Sequence, residues 1–571
     1  MTHRTQKEFA RTFVPETADM GDWTQIEPLF NQLLEREIRS PKELDQWLLD
    51  HSELAACLSE EHSRRYIAMT CHTDDPELEK NYLYFLENID PKCKPYWHRL
   101  NEKYVACPHR KDMDSKRYRV LDRNIQAEIE IFREKNIPLQ TEASKLSQKY
   151  QKLCGAMTVQ FEGEERTLPQ MAKYLEVTDR PVRREAWEQI WKRRLQDREE
   201  MDALFDRLVE LRHTIARNAD CSDFRMYAFK MYKRFDYTPD DCLRFHEAIE
   251  RWVVPLMRKN VHRRAELMQL ESLRPWDLAV DPKGRPPLRP FQSPDELCAG
   301  VERIFGRLDE ELAKLFAEMK KNGELDLDSR KGKAPGGYLS CLDEIRRPFI
   351  FMNAAGLQRD VETLLHESGH AFHSLACRKE PLLAYRDAPI EFAEVASMSM
   401  ELFGDDSLDV FYSKDDAARA KRMHLDGVLE VLPWIARIDA FQHWIYTHPT
   451  HSRKERIEYW LELDRRFGPV LNWESYPAAR EALWQRQLHL FCHPFYYIEY
   501  GIAQLGALQL WSRFKNHPAQ ALRRYRSALA LGGSRPLPSL FENAGAVFDF
   551  TETTIRPLVQ QIEEELNSIP E

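Results

Sequence analysis

The sequence predicts a mainly α-helical protein with a small β-sheet placed just before one polar-faced helix. Three observations predict it. Glycine is sparse, 20 in 571 residues, and long charged amphipathic runs dominate, which is the pattern of helix. Two short stretches, 157–168 around Gly163 and 325–353, read instead as strands. Residues 361–377 then repeat apolar side chains at helical spacing on one face and imidazoles on the other. At 43% hydrophobic and 31% charged residues, the chain is long enough for two or more lobes.

The elements follow in order. A helix opens at residues 23–30, and Ser40 followed by Pro41 reads as a cap with proline in the first turn. Charged periodic runs at 118–134 and 142–153 are helices, and 157–168 is a hairpin. Residues 184–217 carry charge on a solvated helix face. The proline-rich stretch 274–290 is a surface excursion bounded by helices. Gly336 to Ser340 and Pro348 to Met352 are expected to pair as strands. Pro494 suits the first turn of a helix, which puts Tyr497 and Tyr500 on one face. Gly532 and Gly533 interrupt the last helices and read as a mobile loop near the cleft.

Chemistry concentrates at 361–377. On a helix, Val361, Leu364, Leu365, Ser368, Ala371, Phe372 and Leu375 share one face, while Glu362, His366, His370, His373 and Cys377 share the other. His366-Glu367-Ser368-Gly369-His370 is an HExxH motif. Its imidazoles lie one turn apart, a spacing at which two neutral rings share one zinc ion. Glu367 lies about 100° round from His366, beside the ion but off the ligand row. The five-residue motif is weak alone, and a third ligand strengthens it. Downstream, Glu391, Glu394, Met398 and Glu401 fall on one helical face of an otherwise apolar, small-residue run. A His, His, Glu set with an open fourth position is the catalytic zinc pattern. His373 shares the imidazole face, but three nearly collinear ligands on one straight helix cannot converge tetrahedrally. It is expected to be a buried, hydrogen-bonded neighbour that does not bind the metal.

HESGHAFH followed by FAEVASMSME resembles the zinc oligopeptidases of the oligoendopeptidase F and thimet oligopeptidase type. The resemblance continues through KRFDYT at 233–238, RKGK at 330–333 with GGY at 336–338, PFIF at 348–351, PFYYIEY at 494–500 and AGAVFDF at 544–550. It implies a multi-helical, two-lobed metallopeptidase enclosing a deep substrate channel. Residues 1–180 would form an N-terminal helical lobe with the hairpin, and 181–571 the catalytic domain. One Zn²⁺ per chain would be held by His366, His370 and Glu394, with Glu401 orienting a ligating histidine. Glu367 would be the general base. His489, Tyr497 and Tyr500 would stabilise the oxyanion, while His493 stands where thimet-type relatives differ. Gly337 and Tyr338, at an edge strand beside the zinc, would bind substrate backbone as an added strand.

Composition narrows the partners. A formal net charge of -10 argues against nucleic acid, and no stretch has the apolar length of a membrane span. The N-terminal residues show no apolar secretory core, and eleven scattered cysteines without a CxxC suit a reducing compartment. The expectation is a cytoplasmic endopeptidase acting on short peptides, its oligomeric state left open. Two alternatives stand: an exo-acting dipeptidyl carboxypeptidase or carboxypeptidase, and a catalytically silent peptide-binding protein.

Overall fold

The computed structural model describes residues 8–330, 332–334 and 336–570; Lys331 of the RKGK segment and residues 1–7 of the N-terminal stretch read above lie outside them. Helices run from Trp23–Glu35 to Glu552–Ser568. Ser40 accepts a hydrogen bond from the Glu43 amide, and Pro41 opens the helix Pro41–Cys71. The cap satisfies an amide that the helix itself cannot. Strands β1 (Thr158–Phe161) and β2 (Glu164–Thr167) form the expected hairpin, turning at Glu162 and Gly163 with φ of 53° and 80°.

A three-stranded sheet has the order β3-β5-β4, with β3 Leu325–Asp328, β4 Tyr338–Leu342 and β5 Arg347–Ala354. The central strand β5 buries Ile350, Phe351 and Met352. Its antiparallel partner β4 pairs Leu339 with Ile350, and no described strand pairs with its other edge. The segment before β4 is held by charge. Buried Lys333 donates to the carbonyls of Asp326, Asp328 and Met352, and Arg330 donates to the Asp326 carboxylate and the Cys71 carbonyl. Tyr338 stacks on Phe351 at 4.7 Å and shares a 2.5 Å hydrogen bond with Thr70. These contacts fasten the first end of β4 to the helix Pro41–Cys71.

Among the described residues two large apolar cores and a small tryptophan cluster around Trp187, Trp191 and Trp276 hold the chain. One gathers Val14 through Ile125 together with Leu382 and Tyr385; the larger runs from Tyr150 to Ile569. The hairpin residues Val159 and Phe161 pack in the larger core, so the cores divide earlier in the chain than residue 180. A cavity of about 500 Å³ opens between the parts, bounded by Trp47, Tyr104, Leu339, Asp343 and Asp387.

Beyond β5, the helix Gln358–Cys377 carries the HExxH motif. Asp360 accepts from the Ala355 and Leu357 amides and fixes its first turn. Every residue of its predicted apolar face is buried. On the opposite face His373 is buried, as expected, and Cys377 is buried beside it in the chain. The segment read as a mobile glycine loop covers that end. The Gly533 amide donates to the Tyr385 carbonyl, and a Cβ at Gly532 would stand 2.0 Å from the same oxygen and 3.3 Å from the Cys377 Cβ. The two glycines permit a tight backbone contact.

All eleven cysteines are unpaired. Among the described residues, no helix is long and apolar enough to cross a membrane.

Candidate metal centre

The helix Ile390–Gly404 crosses the motif helix in close contact, and Gly369 sets the approach. A Cβ there would lie 2.5 Å from the Ser397 Cα and 2.7 Å from the Ala396 carbonyl oxygen. The absent side chain brings Glu394 over the two imidazoles. Its Oε2 stands 3.3 Å from His366 Nε2 and 3.4 Å from His370 Nε2. Two ligands bound tetrahedrally at about 2.0–2.1 Å are about 3.3 Å apart, so the three donors are spaced for one zinc ion. The histidine side chains keep 20% and 18% of their exposure, whereas Glu394 keeps 3%. The site opens on the histidine side.

Hydrogen bonds orient His366 and Glu394. His366 Nδ1 lies 2.6 Å from Glu401 Oε1, which leaves Nε2 toward Glu394. Glu401 Oε2 meets His424 Nε2 at 3.3 Å, and His424 Nδ1 meets Asp405 at 2.9 Å. This line of alternating imidazole and carboxylate buttresses one ligand from behind. Glu394 accepts from the Ser397 and Tyr496 hydroxyls at 3.1 and 2.9 Å. Glu391 faces elsewhere, accepting from Tyr237 at 2.7 Å.

Two neighbouring glutamates are driven in opposite directions. Burial works to raise the Glu394 carboxyl, but the facing His370 and His366 outweigh it and hold it below the ordinary carboxylate range. Burial also raises Glu367, and the histidines offset this only in part. Glu367 Oε2 is buried with no hydrogen-bond partner among the described residues. An unspent carboxylate beside an anionic ligand is the arrangement of a proton acceptor next to a metal holder. A Cβ at Gly337 would be 3.5 Å from Glu367 Oε1, so the start of β4 borders this carboxylate.

The aromatic segment supplies the opposite wall. Trp434 Nε1 donates to Gln487 Oε1 at 2.9 Å, which leaves the Gln487 amide nitrogen 2.8 Å from His489 Nδ1. Indole only donates, so His489 Nδ1 must accept and its proton sits on Nε2. Burial, helped by His493, pulls His489 down to about 3 and keeps it neutral. Its Nε2 lies 3.4 Å from the Tyr500 hydroxyl. Burial raises Tyr500 well above the ordinary phenol range, reinforced by Glu394. Tyr497 packs against His489 at 4.9 Å and turns toward Trp434 and Gln487. The structure thus brings His366, His370, Glu394, Glu367, Gly337, His489 and Tyr500 together, sets Tyr497 behind His489, and commits the Tyr338 hydroxyl to Thr70.

Three site members escape sequence reasoning: Tyr496, His424 and Asp405. Tyr496 precedes the helix Tyr497–Asn516, which begins later than Pro494 suggested. Phe495 adopts a φ of 67°, and its amide donates to Gln442 Oε1 at 2.6 Å. His373 lies outside the ligand set as expected, yet its Nε2 has no hydrogen-bond partner among the described residues, and its ring meets Phe392 edge-on.

The chain is similar to known peptidases in sequence and in fold. Oligopeptidase PepF of Bacillus subtilis (strain 168) is 25% identical over 329 residues, 56% of this chain and 47% of that protein. An oligoendopeptidase F homolog of Borreliella burgdorferi is 26% identical over 257 residues, 43% of this chain and 42% of that protein. The matched segments therefore span about half the length of these curated relatives. A solved structure of Pz peptidase A with an inhibitor superposes with a TM-score of 0.93 at 28% identity, covering 98% of this chain and 99% of that one. The Peptidase M3 N-terminal domain profile matches residues 13–132, and the Peptidase family M3 profile matches residues 173–559. That second span contains the HExxH helix, Glu394 and the aromatic wall, and the chain belongs to peptidase family M3.

Proposed function

We propose that the protein is a zinc metalloendopeptidase that hydrolyses internal bonds of short peptides in the cytoplasm. The observation that carries this reading is the convergence of His366, His370 and Glu394 at tetrahedral spacing beside the unspent carboxylate of Glu367. When bound there, zinc would supply the Lewis acidity that polarises a scissile carbonyl and acidifies a water. Glu367 takes a proton from the attacking water and returns it to the leaving amine; burial favours its protonated form between the two steps. The Tyr500 hydroxyl and the His489 Nε2–H stand ready to donate to the oxyanion. Tyr496 holds Glu394 in place.

The open edge of β4 accounts for breadth. An extended peptide pairing there is held by its backbone, which every sequence offers. Gly337 lets the substrate backbone come close to Glu367. The division into an N-terminal lobe and a catalytic domain, expected at 1–180 and 181–571, is part of this proposal, with its boundary moved to between Ile125 and Tyr150, where the two large cores divide. Tyr338 with Thr70 and Arg117 with Glu380 tie the two together. Unpaired cysteines throughout are in keeping with a reducing compartment.

Incubation of the zinc-loaded protein with quenched fluorescent peptides, followed by mass spectrometry of products, tests the reading. Cleavage at internal bonds is expected. Release of terminal dipeptides or single residues alone would move the assignment to an exopeptidase, and no cleavage at all would move it to a peptide-binding protein.

A further inference from the structure

A second group of metal-binding side chains lies in the interior, away from His366 and His370. The helix Pro239–Ala248 carries Cys242 and His246, and the helix Lys414–Thr447 carries Asp439 and His443. Each pair is four residues apart, so each helix presents two donors one turn apart to the other. Cys242 Sγ, an Asp439 carboxylate oxygen and a His443 ring nitrogen all lie within 4.8 Å of one another. His443 Nε2 stands 3.2 Å from Asp439 Oδ2, nearly the separation of His366 from Glu394.

Hydrogen bonding leaves this cluster unfinished. His246 Nε2 meets Asp439 Oδ2 at 2.8 Å. Neither ring nitrogen of His443 and not Asp439 Oδ1 has a hydrogen-bond partner among the described residues, although the Asp439 side chain is 0% and that of His443 6% exposed. Buried polar atoms are almost always satisfied. An imidazole whose Nε2 has only the Asp439 carboxylate nearby, out of line for a hydrogen bond, and whose Nδ1 has no partner, an unpartnered carboxylate oxygen and a thiol lie together without a common partner.

We propose that Cys242, Asp439 and His443 form a second metal site that takes one structural zinc ion, with His246 fixing the Asp439 carboxylate. A mixed sulfur, nitrogen and oxygen set suits zinc; calcium and magnesium take oxygen alone. When Cys242 gives up its proton on binding, its thiolate and the Asp439 carboxylate together neutralise the divalent ion, so the occupied cluster carries no net charge. The ion clamps the two helices behind the aromatic wall, since the His443 ring packs edge-on against Phe495, the residue before Tyr496, at 5.5 Å. Complete burial means that it enters during folding and stays when the exposed catalytic ion is stripped.

Elemental analysis of the unmutated protein and of His370→Ala, both dialysed natively against a chelator, tests this. One zinc per chain is expected to survive in each; zinc-free folded protein would overturn the site. Refolding His370→Ala with Co²⁺ is expected to give a thiolate-to-cobalt charge-transfer band, which the cysteine-free catalytic set cannot produce. Loss of that band in His370→Ala/Cys242→Ser supports the site, and its persistence there overturns it. Should the double variant fail to fold, zinc-edge X-ray absorption of His370→Ala decides: one sulfur neighbour is expected, and a shell without sulfur rejects the proposal.

Discussion

Gly369 and Ser397 touch backbone to backbone: a Cβ on the glycine would lie 2.5 Å from the serine Cα. That contact sets how far Glu394 reaches over the histidines. Gly369→Ala forces the helices apart, and neither backbone can yield as a side chain would. The expected cost is about 1–3 kcal/mol of stability together with weaker zinc binding. Thermal unfolding and zinc titration measure both; an unchanged zinc affinity would show that the crossing does not set the ligand spacing.

Glu367→Gln is nearly isosteric and removes the proposed proton acceptor. Turnover should fall by about 10² to 10⁴, the usual worth of general-base catalysis, with catalytic zinc retained. Near-normal kcat in the zinc-loaded variant would remove Glu367 from the mechanism.

Glu394 and Glu391 sit on one helix three residues apart and should behave differently. Glu394→Ala loses the proposed ligand, a carboxylate placed 3.3 and 3.4 Å from the two imidazoles. Glu391→Ala loses only the hydrogen bond from Tyr237. Metal analysis should find the catalytic ion missing in the first and present in the second, and the reverse result would reassign the ligand.

The hydroxyls of Tyr496 and Tyr500 have separable roles. Tyr496→Phe unties Glu394 and should weaken zinc affinity by about 10- to 100-fold, as loss of a ligand's hydrogen-bond partner commonly does. Tyr500→Phe should leave zinc affinity intact and lower kcat with little change in KM. Equal effects of both variants on zinc affinity would contradict the separation.

Asp343 predicts a pH effect on stability. It lines the cavity between the lobes and accepts from Ser59 at 2.6 Å. Burial pushes its carboxyl up to about 6, from about 3.9 when unfolded. A raised folded value means that the unfolded chain releases the proton first. Stability from this group is full below pH about 4 and declines as pH rises through about 6. Asp343→Asn stays neutral, so it should match the natural protein at pH 4 and exceed it above pH 7. Solvent in the cavity should limit the gain to about 1 kcal/mol. Urea unfolding at both pH values checks the sign; equal stability above pH 7 would remove Asp343 as the source.

Much of the site was legible because its signals are local. Ser40 and Pro41 mark a helix start through their own hydrogen-bonding chemistry, and the apolar face of 361–377 follows from helical periodicity alone. The family pattern then singled out Glu394 among three acidic residues on one face. What stayed hidden depends on contacts between distant segments. Tyr496 reaches Glu394 only because Phe495 takes a left-handed conformation, held by Gln442 from another helix. His424 and Asp405 join the site through Glu401 and carry no motif of their own. The close cover over Cys377 depends on a glycine pair more than a hundred and fifty residues away in the chain. Read as a mobile loop, that pair instead forms the tight contact that closes the end of the motif helix.

Among the described residues no strand pairs with the outer edge of β4, and a bare edge does not distinguish a meal from a neighbour. The backbone groups that would welcome any short peptide would equally welcome an edge strand of a second copy. Tolerance for many sequences therefore carries a standing hazard of sticking together in a crowded solution. The fastening of β4 to the helix Pro41–Cys71 through Tyr338 and Thr70 recesses that edge between two bodies of the fold. A slender, flexible chain can thread in, while a folded partner is shut out by its own bulk. Under the proposed function, the recess that would admit an extended peptide would also hinder strand pairing with a second copy.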